Sequence, residues 1–445
     1  MHLIWENLVK NLVLLWTGGF KGLDEGTGEY ELTKTVWEAI ASQTSSASDT
    51  IPSAYGSRIP NIAKDRPNVS AEMWSFWTLY LGPVLLRRRF RKRKYYTHFI
   101  ELVRLLNICM QFEISDAEIE QIRTGFIAWV EKYEELYFQY DVARLATCPL
   151  TVHALLHIAP SIKFTGPVWC YWAFPMERYC GSLQPGIRSR RFPWASMDRY
   201  VLEKAQLTQI MTIFNTFTEL SLVEARAEIP GSFSDPLYPS CILLPPKSPF
   251  TPGKNQLTTI AAALSTRCEA SMPVVNAALR GALVEEWGKV RRVDSEEGDT
   301  MRSCSLGSVA EDSRDATYVR YQMLVDENAR YPRRPIKLKL TTFYGQLTHI
   351  YRVHFPSPVP DLAIDEPTTY IFAAVRACNL KPDDTLLRGL DIHFYSGHGH
   401  FDVVDITSLQ ALVGRVPVQS SEWAVVDRSG VLAQAQWLGE DENGD

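Results

Sequence analysis

Glu177 is the acidic residue whose surroundings best suit chemistry. It lies two positions after Pro175, at the end of an aromatic run that extends from Gly166 to Phe174. Proline favours the first position of a helix, and an acid in the first turn faces the partly positive helix N-terminus. The pattern therefore predicts an extended aromatic segment followed by a helix that carries Glu177 in its first turn. Such a carboxylate either stabilises the helix start or ligates a metal ion in a phosphoryl-transfer enzyme.

A dense basic block offers a different chemistry, the binding of phosphate groups. Seven cations surround Phe90 within eight positions: Arg87, Arg88, Arg89, Arg91, Lys92, Arg93 and Lys94. A solvated surface or a nuclear import signal would account for the block, and contact with nucleic-acid phosphates is the alternative. Phe90, Tyr95 and Tyr96 favour nucleic acid, because aromatic rings stack on bases. A second, smaller cluster consists of Arg188, Arg190 and Arg191.

The histidines and cysteines do not predict a metal centre. His153 and His157 are four residues apart and would share one helix face, but apolar residues surround them and no HExxH pattern is present. His393, His398 and His400 are interpreted as surface residues of a glycine-containing turn between strands. The eight cysteines are scattered without a CxxC pair, which favours a reducing compartment, the nucleus or the cytosol.

Composition limits the class of protein. The 445 residues are 46% hydrophobic and carry a formal net charge of −5. A chain of this length usually forms two or three domains with packed cores. The longest uninterrupted apolar run near the N-terminus, Leu12 to Trp16, is far too short to cross a bilayer. The sequence also lacks a phosphate-binding glycine loop, a nucleophile elbow and a dinucleotide fingerprint. We therefore expect a globular protein without a membrane partner and outside these enzyme classes.

Local signals predict helices around the basic block. Ser70 is a suitable N-cap for a helix over 71–81. Ser115 and Glu118 form a capping box, and the apolar residues that follow keep helical spacing as far as Tyr140.

The chain as a whole predicts an α+β fold, mainly helical in its N-terminal two-thirds and followed by a small antiparallel β domain. The proline-rich and polar middle includes helices over 257–287, broken near Pro273. Short β-branched and aromatic runs then indicate strands. The predicted regions are a helical part at 1–225, a strap with helices and a polar linker at 226–335, a β-rich domain at 336–430 and a disordered tail at 431–445.

Eight short segments occur in an order that is similar to a known family. They are MHLI from Met1, IPSAYG from Ile51, LLHI from Leu155, GPV from Gly166, PMERY from Pro175, EWGKVRR from Glu286, FYGQL from Phe343 and WAVVD from Trp423. Each segment has little specificity, but their number and order resemble the C-terminal part of transposases of the CACTA (En/Spm) superfamily. The fungal versions of this family are matched almost end to end.

This resemblance implies a ribonuclease-H-like core in which three acidic residues hold two Mg²⁺ ions, with a helical domain inserted at about 71–150. His2 would match the histidine of the family's Asp-x-x-His pattern, and Glu177 would be the third acid. The earlier aspartates would precede Met1, so we expect a truncated core over 1–225 with no intact metal site and no cofactor of its own. We also expect poorly covered apolar surfaces at 1–20 and 161–185.

Two functions follow as hypotheses. The first is a transposase-derived fragment, catalytically inactive by itself, that binds DNA without sequence preference or binds full-length transposase chains. The alternative is a non-enzymatic nuclear adaptor that binds proteins or chromatin through residues 336–430.

Overall fold

The structure, a computed structural model, shows a helical N-terminal part and a C-terminal antiparallel sheet. It describes residues 2–20, 23, 28–217, 219–222, 229–293, 300–306, 313–331, 333–382, 384–419, 421–429 and 432.

Within these residues, ten α-helices precede the first strand and two more lie among the strands. They are α1 (Val9–Trp16), α2 (Lys34–Ala47), α3 (Ala71–Phe76), α4 (Gly82–Leu85), α5 (Arg93–Cys109), α6 (Asp116–Tyr133), α7 (Leu150–His153), α8 (Ile158–Thr165), α9 (Phe174–Leu183), α10 (Pro193–Phe214), α11 (Lys254–Arg267) and α12 (Met272–Leu279). Wider π-helical turns precede α1 (His2–Leu8), join α3 to α4 (Trp77–Leu81) and extend α6 (Glu134–Phe138).

The predicted helix starts at α3 and α6 are confirmed. The Ser70 hydroxyl accepts a hydrogen bond from the Met73 amide at 3.2 Å, directly before α3. Both halves of the Ser115–Glu118 capping box are present at the start of α6. Ile122, Phe126, Trp129 and Tyr133 of α6 are buried as their spacing predicts. Ile119 is half-buried, and Tyr140 lies beyond the helix and is 68% exposed. These ends are predictable because each depends on residues within one turn.

The strands form one antiparallel sheet. They are β1 (Cys241–Pro249), β2 (Leu283–Arg292), β3 (Thr300–Arg302), β4 (Tyr318–Asp326), β5 (Leu338–Phe355), β6 (Thr368–Leu380), β7 (Ile392–Asp405), β8 (Leu409–Leu412), β9 (Gly414–Gln419) and β10 (Glu422–Val426). Neighbouring strands follow the order β1-β2-β5-β6-β7-β10-β9; β3 pairs with β2, and β4 pairs with both β5 and β8. The sheet is curled, and α11 and α12 cover part of it through the core shared with β5 and β6.

The N-terminal helices and the sheet share a hydrophobic core. The core contains Trp77 from the helical part together with Phe394 of β7 and Val426 of β10. The buried Tyr55 hydroxyl lies within hydrogen-bond distance of the carbonyl oxygens of Leu412 (2.9 Å) and Val426 (3.2 Å). The helices therefore pack directly on the strands.

The sheet begins earlier in the chain than predicted. Strands β1 to β4 come from the region 226–335, so the sheet is not confined to 336–430. The helical prediction for 257–287 matches α11 and α12 but is wrong from Leu283 onward, where β2 begins. The reason is that β2 is fixed by pairing with the distant strands β1 and β5, which local spacing does not indicate.

The expectations derived from the ribonuclease-H-like core have different outcomes. No strand lies among the described residues between 2 and 222, so that core stays a prediction. The expected exposure of 1–20 is wrong, because Leu8 and Trp16 are 1% exposed. In the segment 161–185 several apolar side chains are exposed, as expected, including Phe164 (85%) and Met176 (64%). The predicted tail at 431–445 lies outside the described residues, except for Leu432.

Candidate nucleic-acid interface

The basic block, residues 87–94, forms the turn between α4 and α5 and the start of α5. Leu86 and Phe90 are buried, and the Phe90 ring packs edge-on against Trp16 with centroids 5.4 Å apart. Arg88, between them, has a left-handed backbone with φ 59°. The apolar residues anchor the turn, and Arg88 between them is exposed.

Arg87 is neutralised within the protein. Its Nη2 atom lies 2.8 Å from Oδ2 of Asp384, in the loop between β6 and β7. The guanidinium also stacks over the Phe394 ring, with the central carbon 4.3 Å from the ring centroid. Arg87 is half-buried, and the ion pair and ring contact offset the cost of removing its charge from water. Arg87 therefore joins the helical part to the sheet.

Three further members of the block have partners within the helical part. Arg89 donates a hydrogen bond to Oε1 of Gln43 at 3.0 Å. Lys92 and Lys94 share the carboxylate of Glu29: Lys92 is hydrogen-bonded to it, and Lys94 Nζ lies 3.8 Å from Oε2. The hydrogen bond from Lys92 lowers the pKa of Glu29, so this carboxylate keeps its charge beside the lysines.

Arg88, Arg91 and Arg93 are exposed, and none forms an ion pair with another described residue. All three line one cavity of about 440 Å³, which is large enough for a phosphate and its attached sugar. The cavity is completed by Arg87, Phe90, Tyr96, Asp384 and Leu386. Because Asp384 is paired with Arg87, the cavity has a net positive charge.

The N-terminus of α5 adds to this positive potential. The helix begins at Arg93 without a side-chain cap and without an acidic residue in its first turn. Its first amide groups lack partners within the helix, and the helix dipole places partial positive charge at this end. The basic residues at this end therefore disfavour the isolated helix and favour an anion beside it.

The prediction that the aromatic residues of the block stack on bases is wrong. Phe90, Tyr95 and Tyr96 are 8%, 1% and 5% exposed and belong to the hydrophobic core. The Tyr96 hydroxyl donates to the Pro83 carbonyl at 2.5 Å, and burial raises the pKa of Tyr96 well above its usual value. The rings thus position the arginines, and they leave phosphate as the group that this surface can bind.

The second cluster, Arg188, Arg190 and Arg191, lies in an exposed loop before α10. The Arg191 guanidinium lies 5.3 Å from the centroid of the Phe192 ring. This cluster lines none of the cavities around the basic block. Its role in nucleic-acid binding stays a prediction.

His2 and Glu177, the residues assigned through the family resemblance, lie side by side. Nε2 of His2 is 3.0 Å from Oε1 of Glu177, and Nδ1 of His2 is 2.5 Å from Oε2 of Glu6. The hydrogen bond from His2 lowers the pKa of Glu6. Glu177 lies in the first turn of α9, as predicted, but the preceding extended segment is wrong because Val168–Cys170 forms a 3₁₀ turn.

These residues do not fit a centre for two Mg²⁺ ions. Both ring nitrogens of His2 are engaged by Glu6 and Glu177, and Mg²⁺ prefers oxygen ligands. Across the described ranges, no group of three or more histidine, cysteine, aspartate or glutamate side chains is arranged to hold a metal ion. His2 and Glu177 are therefore neighbours, and their role in one catalytic site stays a prediction.

The prediction that His393, His398 and His400 occupy a turn is wrong. All three belong to the long strand β7, which bends at Gly397. Nε2 of His398 lies 2.8 Å from the hydroxyl of Tyr318 in β4, a strand that does not pair with β7 among the described residues.

Sequence reasoning missed Asp384 and Leu386 as part of the cavity. Asp384 is 297 positions from Arg87 along the chain, and neither Asp384 nor Leu386 belongs to a recognisable motif. A contact between distant loops leaves no local pattern in the sequence. Only the folded structure shows that these residues lie beside the basic block.

Comparisons with known proteins returned no match, whether the chain was set against protein-family models, curated proteins or solved structures. Among the described residues, none of the helices combines the length and the apolar character needed to cross a membrane.

Proposed function

We propose that this protein binds nucleic acid through phosphate groups, without sequence preference, at the basic block. The observation that carries the proposal is that Arg88, Arg91 and Arg93 line one cavity and have no acidic partner among the described residues. A guanidinium presents paired donors that match phosphate oxygens, and it keeps its charge at every physiological pH.

The absence of sequence preference follows from the character of the surface. Sequence is recognised through base edges, whereas contacts to phosphate carry no sequence information. The aromatic rings of the block are buried, and four of the eight residues that line the cavity are arginines. The expected interaction is therefore electrostatic and weakens steeply with salt.

We further propose that the chain derives from a transposase of the CACTA type and has no transposase activity by itself. The 3.0 Å approach of His2 to Glu177 supports this origin, because the family pattern assigns both residues to one site. The donor set around them supplies two carboxylates and a histidine that is already engaged. We expect the purified chain to neither cleave nor join DNA with Mg²⁺ or Mn²⁺. Binding to full-length transposase chains, the adaptor function and location in the nucleus or cytosol stay predictions.

The proposal is tested by fluorescence anisotropy with labelled single-stranded and duplex DNA over a series of salt concentrations. The test variant is Arg88→Ala, Arg91→Ala and Arg93→Ala combined. The matched control is Lys34→Ala, Lys64→Ala and Arg280→Ala, which removes three exposed charges elsewhere.

We expect the test variant to lose most of its affinity for all DNA sequences equally. Each phosphate contact contributes about 0.9 to the slope of log affinity against log salt, so the slope should become shallower by up to about three. The control should change both quantities only slightly. If the test variant binds as tightly as the wild type, with the same slope, the proposal is wrong.

A further inference from the structure

The hairpin formed by β4 and β5 extends beyond the rest of the sheet as a two-stranded arm. β4 pairs with β8 only from Val319 to Tyr321, and β5 pairs with β6 only from Gly345 onward. Between these limits and the hairpin tip, five residue pairs from Gln322–Thr342 to Asp326–Leu338 pair only with each other among the described residues. At about 3.4 Å per residue, the arm projects roughly 17 Å before its tip.

The tip of the arm is ordered by hydrogen bonds. Oδ1 of Asp326 accepts the backbone N–H groups of Asn328 and Lys337, both at 2.9 Å. The Asn328 amide nitrogen donates to the Pro335 carbonyl at 2.7 Å. The Arg334 guanidinium lies 4.6 Å from the centroid of the Tyr331 ring. These contacts connect the two described sides of the tip, residues 326–331 and 333–337.

The charge of the tip is strongly positive. Residues 326–339 contain five cations and two acids. Glu327 pairs with Lys337 at 2.7 Å and Lys339 at 3.6 Å, whereas Arg330, Arg333 and Arg334 are exposed and form no ion pair with a described residue. These three guanidinium groups are thus available to an anionic partner.

An apolar residue projects beside the arginines. Ile336 follows Pro335 at the tip and is 75% exposed. Ile and Pro are among the residues that proteins insert between base steps in the minor groove of DNA. Arginine favours the same groove, because its narrow form concentrates negative potential.

We infer that this arm enters the minor groove of duplex DNA, with Arg330, Arg333 and Arg334 along the groove and Ile336 as a wedge against a base step. The inference rests on the proposed nucleic-acid binding and adds a second contact specific to duplex DNA. A wedge of this kind unstacks one step and bends the duplex. The arginines favour A·T-rich sites, which have narrow grooves.

The test compares three variants with the wild type: Arg330→Ala, Arg333→Ala and Arg334→Ala combined; Ile336→Ser; and Leu324→Ser. Leu324 is 63% exposed on the body of the arm and is the control for the loss of an apolar side chain. Affinities for duplex and single-stranded DNA are measured by anisotropy. Bending is measured by energy transfer between the ends of a labelled A·T-rich duplex, and netropsin serves as a competitor for the minor groove.

The arginine variant should lose about tenfold or more in duplex affinity, with little change for single-stranded DNA, and netropsin should compete with the wild type. Ile336→Ser should lose the bending, whereas Leu324→Ser should keep it.

If the arginine variant and the wild type bind duplex equally and netropsin does not compete, the arm inference is wrong while binding through the basic block stands. If the arginine variant loses single-stranded and duplex binding alike, the arm is a general phosphate contact and the minor-groove inference is wrong. If the wild type binds no DNA, both the proposed function and the inference fail.

Discussion

At the scale of single residues, His98 shows how burial sets protonation. It is 1% exposed, its ring stacks on Trp129 with centroids 4.3 Å apart, and Nε2 lies 3.1 Å from the Trp129 carbonyl. Burial lowers the pKa of His98 from 6.5 to about 4. The folded protein therefore keeps this ring neutral at pH values where the unfolded chain binds a proton.

The free energy of unfolding should fall as the pH falls through the window between 6.5 and about 4. In this window His98 binds a proton in the unfolded chain but stays neutral in the folded protein. The expected loss from His98 is about 2 kcal/mol between about pH 7 and about pH 5. Urea denaturation at both pH values measures it. His98→Asn should remove this part of the pH dependence, and the exposed His153→Asn should retain it. An NMR titration of the His98 ring with a normal pKa would contradict the prediction.

Asp384 limits the charge of the cavity, so its removal should strengthen nucleic-acid binding. Asp384→Asn leaves Arg87 unpaired and preserves the hydrogen bond from the Leu386 amide, which Oδ1 accepts at 3.0 Å. We expect DNA affinity to rise, with a salt slope steeper by about 0.9 for the additional phosphate contact. Anisotropy over a salt series measures both quantities. The exposed Asp361→Asn is the control, and a weaker or unchanged affinity for Asp384→Asn would count against a phosphate site here.

At the scale of elements, α10 differs from the other long helices because none of its residues is buried. Ile213 of α10 is 65% exposed, whereas Ile122 of α6 is fully buried. Ile122→Ala should lower the free energy of unfolding by about 2–5 kcal/mol. Ile213→Ala should change it by less than about 0.5 kcal/mol. Urea denaturation of the two variants provides the comparison, and equal losses would mean that α10 is packed in solution.

Two glycines should respond to alanine in opposite directions. A Cβ at Gly345 of β5 would lie 2.6 Å from Val375 Cγ1 and 2.7 Å from the Arg376 carbonyl oxygen, too close for either strand to accept without shifting. Gly345→Ala should therefore destabilise by about 1–3 kcal/mol. Gly181 of α9 has no heavy atom within 4 Å of the same position, so Gly181→Ala should stabilise by about 0.5–1 kcal/mol. Thermal denaturation distinguishes the two signs.

At the scale of the whole molecule, the shared core predicts that the helical part and the sheet unfold together. Tyr55 connects them through the carbonyl oxygens of Leu412 and Val426, and Trp77 lies in the core that also contains β7 and β10. Hydrogen exchange monitored by mass spectrometry along a urea series should show α5 and β6 losing protection in one transition. Tyr55→Phe should shift that single transition to lower urea. Two separate transitions would show that the parts are independent.

The parts of this molecule that could be predicted from sequence are those fixed within a few residues. The helix starts at Ser70 and Ser115 and the position of Glu177 in a first turn depend on local capping and on Pro175. The later strands were recognisable by their β-branched and aromatic runs.

What the sequence did not show depends on distant pairing. The local spacing around Trp287 predicts a helix, but this segment belongs to β2. Its pairing with β1 and β5 leaves no local signal, because both partners are distant in sequence. The cavity was only half predictable for the same reason. Its arginines form a visible block, but Asp384 and Leu386 lie almost 300 positions further along the chain. The buried rings of Phe90 and Tyr96 were misread because burial is not a local property.

The backbone at Arg88 has an evolutionary consequence. With φ at 59°, this position holds a conformation that costs an ordinary L-residue roughly 1–2 kcal/mol and costs glycine almost nothing. Arginine thus occupies a position where glycine would adopt the same backbone at a lower cost. Related sequences that drift to glycine at this position would mark lineages in which the cavity has lost its ligand, and persistent arginine would mark continued selection for it.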